Sequence, residues 1–386
     1  MRILFCNYEY PPLGGGGGVI NAQLAEELAK GHEVTVLTSQ GLGLAREEVC
    51  NGVRVIRVPV FFRSLTAAAN FPSMLAYLPM GIRAGRRLLA QENFEVINTH
   101  FVLPTGPVGD ALSRYAHIPN VLSVHGGDLY DPSKWSSPHR HRLLRHWAQT
   151  LLRRADRVVG QSSNTLENVG RYYDDRLSTQ LIPLGIRRPA PQDPASRADH
   201  GIGPDALILA TVGRLVARKA VDQLIALVAA LGKQAHLLII GSGPLERVLQ
   251  EQAGARQVAD RVHFMGQVTD AEKFSLLNMA DLYVSTSQHE GFGLVFLEAM
   301  ACGLPVLCYD HGGQTDFLHE GLSGHLVPLN DQQAFAKACL ELIKNQATRQ
   351  AMGAENLARV ENYFIDRCAS RYEALFDEVI SSRTVA

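Results

Sequence analysis

The sequence predicts an α/β protein of two domains, each built on a doubly wound parallel sheet, and three observations carry that prediction. At 386 residues the chain is too long for one ordinary core. Short runs rich in Val, Ile and Leu alternate with amphipathic stretches, the pattern of parallel strands buried on both faces and joined by helices. The alternation breaks once, from Arg187 to Pro204, where four prolines fall in a stretch without apolar periodicity, and then restarts.

In order along the chain, the first domain (1–186) has strands expected at Ile3 to Cys6, Val34 to Thr38, Val53 to Val58, Val96 to Asn98, Val121 to Val124 and Val158 to Gly160. A helix is expected from about Val19 to Lys30. After a linker at 187–204, the second domain (205–363) repeats the pattern with strands at Leu207 to Val212, His236 to Ile240, Val262 to Met265, Leu282 to Ser285 and Val306 to Cys308. Helices at Gln332 to Asn345 and Arg349 to Val360 follow, and an amphipathic segment at about 364–386 is expected to pack back on the first domain. In doubly wound sheets ligands bind beyond the carboxyl ends of the strands, so chemistry belongs in the loops that follow them.

Composition narrows the class. Hydrophobic residues make up 46% and charged residues 19%, a globular balance. No segment reaches the roughly 18 uninterrupted apolar residues of a membrane span. The N-terminal apolar run stops too soon for a signal peptide, so a cytoplasmic protein is expected. The six cysteines are scattered without a C-x-x-C pair and read as reduced core residues. Met1 to Gly185 carries 19 Lys and Arg against 15 Asp and Glu, and the remainder 18 against 23. That asymmetry is too small for nucleic-acid binding but leaves room for a local basic face.

Four constellations sit at expected strand ends. Pro11-Pro12-Leu13 and Gly14 to Gly18 follow the first strand, where glycines admit a ligand close to the backbone and a helix start favours an anion. The run is not a dinucleotide fingerprint, because G-x-G-x-x-G counted from Gly14 ends on Val19. A flexible turn without a ligand is the alternative. His125-Gly126-Gly127-Asp128 follows Val121 to Val124 and could contact sugar hydroxyls; a structural histidine is the alternative. Val212-Gly213-Arg214-Leu215, followed by Arg218-Lys219, offers cations to a diphosphate, although cations at helix starts are often simply solvated. The fourth runs from Ser287 to Pro305 and opens a short apolar helix near Gly293. Glu290 precedes that helix, and Glu298 sits roughly 7 Å along it. The helix amides would hold a phosphate, with Glu298 on a ribose and Glu290 on a sugar. A carboxylate within an apolar helix is costly to bury alone, so Glu298 is expected to have a partner.

In these motifs the chain resembles the retaining group 1 glycosyltransferases of family 4, which have the GT-B fold of two facing Rossmann-like domains. The glycine-rich loop, His-Gly-Gly-Asp, Gly-Arg and Arg-Lys, Gly241-Ser242-Gly243-Pro244, Val262 to Gly266 and Glu-x7-Glu all occur in the family's order. The resemblance implies that Arg214 and Lys219 neutralise the donor diphosphate, that Glu290 and the amides of Gly291, Phe292 and Gly293 read the sugar, and that Leu294 and Val295 give amides to phosphate. It places the ribose on Glu298, the base near Gln267 and Val268, and the nucleotide beside Gly213, Gly241 and Gly243. His125 would face the donor sugar, and Gly15 and Gly16 the phosphate and acceptor. One departure is Ala220 after Lys219, where the family commonly has glycine.

The implied reaction is metal-independent front-face transfer from a nucleotide sugar, with UDP- or GDP-sugars expected and no cofactor. The sequence contains no D-x-D motif. The acceptor would be a glycan, a lipid-linked sugar or a small molecule, and Gly17, Asp128 and Phe62 are its candidate contacts. The segment from Lys134 to Arg157 has an apolar stripe, Leu143, Leu144, Trp147, Leu151 and Leu152, amid arginines and histidines. It reads as a helix packed on the sheet or as a basic face for peripheral contact with the inner membrane surface. A sugar-nucleotide epimerase and a nucleotide-sugar-binding protein of the same architecture are the rival functions.

Overall fold

The computed structural model describes residues 1–41, 43–61, 71–131, 134–233 and 235–384. The chain divides into two compact units: Met1–Arg187 together with the C-terminal segment from Phe364, and Arg188–Tyr363.

The first unit holds strands β1 (Arg2–Cys6), β2 (Glu33–Ser39), β3 (Glu47–Cys50), β4 (Val53–Val58), β5 (Val96–His100), β6 (Asn120–Val124), β7 (Arg157–Gly160) and β8 (Thr179–Leu181). They form one sheet in the order β3-β4-β2-β1-β5-β6-β7-β8, with β3 antiparallel to β4 and the other neighbours parallel. Strand periodicity sends Ile3 and Phe5 to one face and Leu4 and Cys6 to the other, so β1 contributes to two cores. The helices Phe71–Gln91 and Gly106–Ala116 cover the Leu4 face through Tyr77, Val108 and Leu112. The opposite face takes Leu24 of the helix Gly16–Leu28 together with Tyr372, Leu375, Phe376 and Val379 of the final helix, Ile365–Thr384. Full burial of such side chains contributes roughly 1.5–3 kcal/mol each, which fastens the end of the chain to its first domain.

The second unit holds β9 (Leu207–Val212), β10 (Ala235–Ile240), β11 (Val262–Gly266), β12 (Leu282–Ser285), β13 (Val306–Tyr309) and β14 (Gly324–Val327), in the parallel order β11-β10-β9-β12-β13-β14. Residues 188–204, read from the sequence as linker, lie on this unit and are tied to the helix Asp270–Met279. Ala195 N donates to Ser275 O (3.0 Å), Ser275 Oγ to Asp193 O (2.7 Å) and Asn278 Nδ2 to Gln192 O (2.8 Å). All six cysteines are free thiols. Among the described residues no helix is long and apolar enough to cross a membrane.

Three strands escape the sequence reading. β3 is an edge strand with little apolar content, but Asn51 and Gly52 both have positive φ (49° and 83°), the two-residue turn that an Asn-Gly pair favours. β8 and β14 are short.

Candidate functional site

In the second unit the chain passes from β9 outward through β10 and β11, then returns to lay β12 on the other side of β9. The loops after β9 and β12 therefore leave adjacent strands in opposite directions, which opens a crevice at their carboxyl ends. Across it, Lys219 Nζ donates to Glu290 Oε1, and Arg218 Nη1 lies 3.2 Å from Glu290 Oε2. Arg218 also donates to His289 O and to Ser287 Oγ (3.3 Å), while Gln288 N donates to Arg218 O (2.8 Å). Glu290 is 7% exposed. Burial alone would raise its pKa, but Lys219 and then Arg218 outweigh that and hold the carboxyl at about 2.

Arg214 stands differently from its sequence neighbours. It is exposed, and among the described residues its guanidinium has no hydrogen-bond or ion-pair partner. Arg218, read from the sequence with Lys219 as a cation for a diphosphate, is the cation that braces the Glu290 loop.

Backbone stacking builds the wall beside these cations. Gly213 N donates to Ile240 O (2.9 Å), Leu215 N to Ser242 O (3.0 Å) and Gly241 N to Gly266 O (2.8 Å). A Cβ at Gly241 would fall 2.2 Å from Gly213 O, and one at Gly243 2.4 Å from Leu215 O. These glycines are required by loop-on-loop packing whether or not a nucleotide binds. Gln267, exposed, and Val268 follow β11 and lead into the capping box of Thr269 and Glu272.

After Glu290, Gly291 and Phe292 reach Gly293, which caps the helix Leu294–Ala301 without any side-chain acceptor. The first amides of a helix have no intrahelical partner, so those of Leu294 and Val295 are available to an anion. On this helix Glu298 has the expected partner: Lys273 Nζ lies 2.8 Å from Oε1 and also 2.9 Å from Asp270 Oδ1. Burial raises the Glu298 pKa, and Lys273 only partly offsets it. Burial would likewise lower Lys273, but Glu298 and Asp270 raise it. Lys273 is a site residue that the sequence reading missed.

The first sheet has its own reversal, between β1 and β5. The glycine run after β1 is not a loop ahead of the helix: Gly16 to Gly18 form the first helical turn. A side chain at Gly14 would meet Glu9, at Gly17 the Phe101 ring (2.6 Å), and at Gly18 the Leu13 and Glu9 carbonyls. Only Gly15 and Gly16 border open space, so the protein's own packing does not demand glycine there. The Gly15 amide, read as a phosphate contact, donates to Glu9 Oε2 (3.3 Å), and that carboxylate opposes an anion at this spot.

Beyond β5, Phe101 has φ +71°, unusual for a bulky residue and a mark of a constrained site. Its ring centroid is 4.3 Å from that of His125. His125 Nε2 lies 3.1 Å from His100 Nδ1. Burial lowers the His125 pKa to about 4, with the Gln161 side chain opposing. Asp128, read as an acceptor contact, spends both oxygens on the backbone: Oδ1 accepts the His125 amide (2.9 Å) and Oδ2 that of Val102 (2.8 Å). It braces two strand-end loops. Phe62 lies outside the described residues.

Comparison with known proteins gives two family matches: "Glycosyl transferase 4-like domain" over residues 15–185 and "Glycosyl transferases group 1" over 192–359. The chain is 30% identical over 372 residues to glycogen synthase of Mycobacterium tuberculosis, covering 91% of this chain and 88% of that one. It is 25% identical over 390 residues to N-acetyl-alpha-D-glucosaminyl L-malate synthase of Bacillus anthracis, covering 96% of each. Among solved structures, sucrose-phosphate synthase from Thermosynechococcus elongatus superposes with a TM-score of 0.85 at 25% identity, over 99% of this chain and 100% of that one.

Proposed function

The chain belongs to the group 1 glycosyltransferases of family 4, with the GT-B fold, and from that premise we propose that it transfers a sugar from a UDP- or GDP-sugar to a hydroxyl acceptor with retention of configuration. The observation that carries this reading is the charge arrangement at the β9/β12 reversal. Arg214, without a partner among the described residues, lines the same crevice as Lys219, Lys219 reaches Glu290, and a helix without a side-chain cap opens four residues after Glu290, an arrangement suited to a diphosphate leaving group. In the proposed reaction the anomeric carbon–oxygen bond to the diphosphate breaks and the acceptor oxygen bonds to that carbon on the same face. The acceptor's proton passes to the leaving phosphate oxygen. Arg214, Lys219 and the amides of Leu294 and Val295 stabilise the charge that develops, Glu298 takes the ribose, and Glu290 and His125 serve the sugar. No metal has a part in the scheme.

A thermal-shift and turnover screen of UDP-, GDP- and ADP-sugars, run with and without EDTA, tests it. One nucleotide class should raise the Tm and be slowly hydrolysed, equally in EDTA. No shift and no hydrolysis with any donor would remove the reading. NMR of the donor incubated alone separates the rivals: sugar interconversion without release marks an epimerase, and binding without turnover, even with acceptors, marks a binding protein.

On the acceptor side, the names of the relatives span a glycan and a small acid, so they do not select an acceptor. The helix Arg142–Arg154 does add an observation. Its inner residues Ala148, Leu151 and Leu152 pack on the sheet, but Leu143 is 86% exposed, with Trp147 and the nearby Trp135 also exposed. The apolar stripe is thus only half used by the core. Among the described residues, Arg142 and Arg145 have no side-chain partner, nor have Arg83 and Arg87 on the helix Phe71–Gln91. Exposed aromatic and aliphatic side chains flanked by free cations suit an anionic bilayer, each cation contributing roughly 1 kcal/mol. We therefore place a peripheral membrane contact on this face. Sedimentation with phosphatidylserine vesicles should show salt-sensitive binding that weakens severalfold in a Trp135→Ala, Leu143→Ala variant; equal partitioning into zwitterionic and anionic vesicles, or none, would sink it.

A further inference from the structure

Behind His125 an unbroken line of hydrogen bonds runs through the core of the first unit to the last helix of the chain. Tyr372 OH lies 2.9 Å from Ser123 Oγ, Ser123 Oγ donates to Asn98 Oδ1 (3.2 Å), Asn98 Nδ2 is 2.9 Å from His100 Nε2, and His100 Nδ1 is 3.1 Å from His125 Nε2. Asn98, His100, Ser123 and Tyr372 are each no more than 2% exposed. Phe5 stacks on the His100 ring at 5.4 Å. Apolar side chains would fill these positions without the cost of taking polar groups out of water. Polarity here therefore serves something other than filling space.

The line has a direction. Among the described residues Ser123 is the only acceptor available to the Tyr372 hydroxyl hydrogen, so Tyr372 donates to Ser123 and Ser123 must donate onward to Asn98. Asn98 then presents its amide nitrogen, a pure donor, to His100 Nε2. Burial keeps the His100 and His125 imidazoles neutral at pH 7, by lowering His100 well below the usual range and His125 to about 4. A neutral His100 that accepts at Nε2 carries its one proton on Nδ1 and donates it to His125 Nε2. His125 Nδ1 is left as that ring's donor, which the Gln161 side chain shares with any ligand: its hydrogen bond to the ring opposes the fall in the His125 pKa, as an acceptor's does.

We propose that Tyr372, Ser123, Asn98 and His100 are positioning residues that fix His125 in its Nδ1–H tautomer, so that it meets the donor sugar as a hydrogen-bond donor. The purpose, though not the tautomer, rests on the reading of His125 as a donor-sugar contact. The helix Ile365–Thr384 then does more than pack: it supplies the first donor of the line.

Long-range ¹H–¹⁵N correlation spectra of the ¹⁵N-histidine-labelled full chain, with His125 assigned by its loss in His125→Ala, read the tautomer directly. The wild type should show His125 protonated on Nδ1 alone; an Nε2–H ring or a mixture overturns the proposal. Tyr372→Phe should produce a mixture, and Asn98→Asp, which turns the amide donor into an acceptor, should favour Nε2–H. If Tyr372→Phe does not fold, Ser123→Ala takes its place. A pure Nδ1–H ring in the variants overturns the proposal. In kinetics, Tyr372→Phe should lower kcat about tenfold with KM little changed, and should have no further effect in a His125→Ala background. A loss that persists in that background would mark a merely structural role and overturn it. Wild-type transfer by His125→Ala would instead defeat the donor-site reading, leaving the spectra to decide the tautomer.

Discussion

Alanine at Arg214 is expected to lower sugar transfer at least 10²- to 10³-fold while leaving thermal unfolding unchanged, whereas alanine at Lys219 lowers both. The difference follows from what each cation touches. The Arg214 side chain is exposed and has no partner among the described residues, so the folded protein loses no contact when it is shortened; surface changes of that kind stay within about 0.5 kcal/mol. Lys219 is bonded to a buried Glu290 that retains only Arg218 once Lys219 is gone. Removing one partner from a buried pair is costly, and the remaining arginine reduces that to about 2 kcal/mol, or roughly 4–8 °C in Tm. Steady-state kinetics and melting curves of the two variants, measured side by side, check this. Wild-type kcat/KM in either would refute the diphosphate assignment. Equal Tm losses would refute the division of labour.

That division was half legible in the sequence. The central strands stood out because a parallel sheet covered on both faces needs continuous apolar runs, and β1, β10 and β13 supply them. β3 did not stand out, because an edge strand has little to bury, although its Asn51-Gly52 turn was a usable signal. Within the site, the requirement that Glu298 have a partner followed from the cost of burying a carboxylate. That the partner is Lys273 did not, since it comes from another helix brought alongside only by the sheet order. Likewise Arg218 and Lys219 are about seventy positions from Glu290, and only the reversal between β9 and β12 brings them together. The glycine run concealed its structure for a different reason. Glycine disfavours helix interiors, yet Gly17 and Gly18 sit in a first turn because Phe101 and the Leu13 and Glu9 carbonyls leave no room for a side chain.

Replacing Glu290 by glutamine should separate binding of the leaving group from transfer of the sugar. Glutamine keeps the shape but removes the charge that occupies Lys219 and Arg218. With Lys219 released, a nucleoside diphosphate no longer competes with a carboxylate for it, and its affinity should rise severalfold. Sugar transfer should nevertheless fall about 10²-fold, because a neutral amide binds sugar hydroxyls more weakly than a carboxylate does. Stability supplies an independent check with a definite sign. Glu290 in the folded protein titrates at about 2 instead of its ordinary 4.5. Its contribution, about 3 kcal/mol, is therefore fully present above pH 4.5 and is lost as the pH falls toward 2. Glutamine never has that contribution. The wild type should melt well above Glu290→Gln at pH 7, and the gap should narrow steadily between pH 5 and 3. A gap that is constant with pH would show that the Lys219–Glu290–Arg218 cluster does not set the carboxyl's titration. Unchanged diphosphate affinity would show that Lys219 does not pass from glutamate to phosphate when the donor binds.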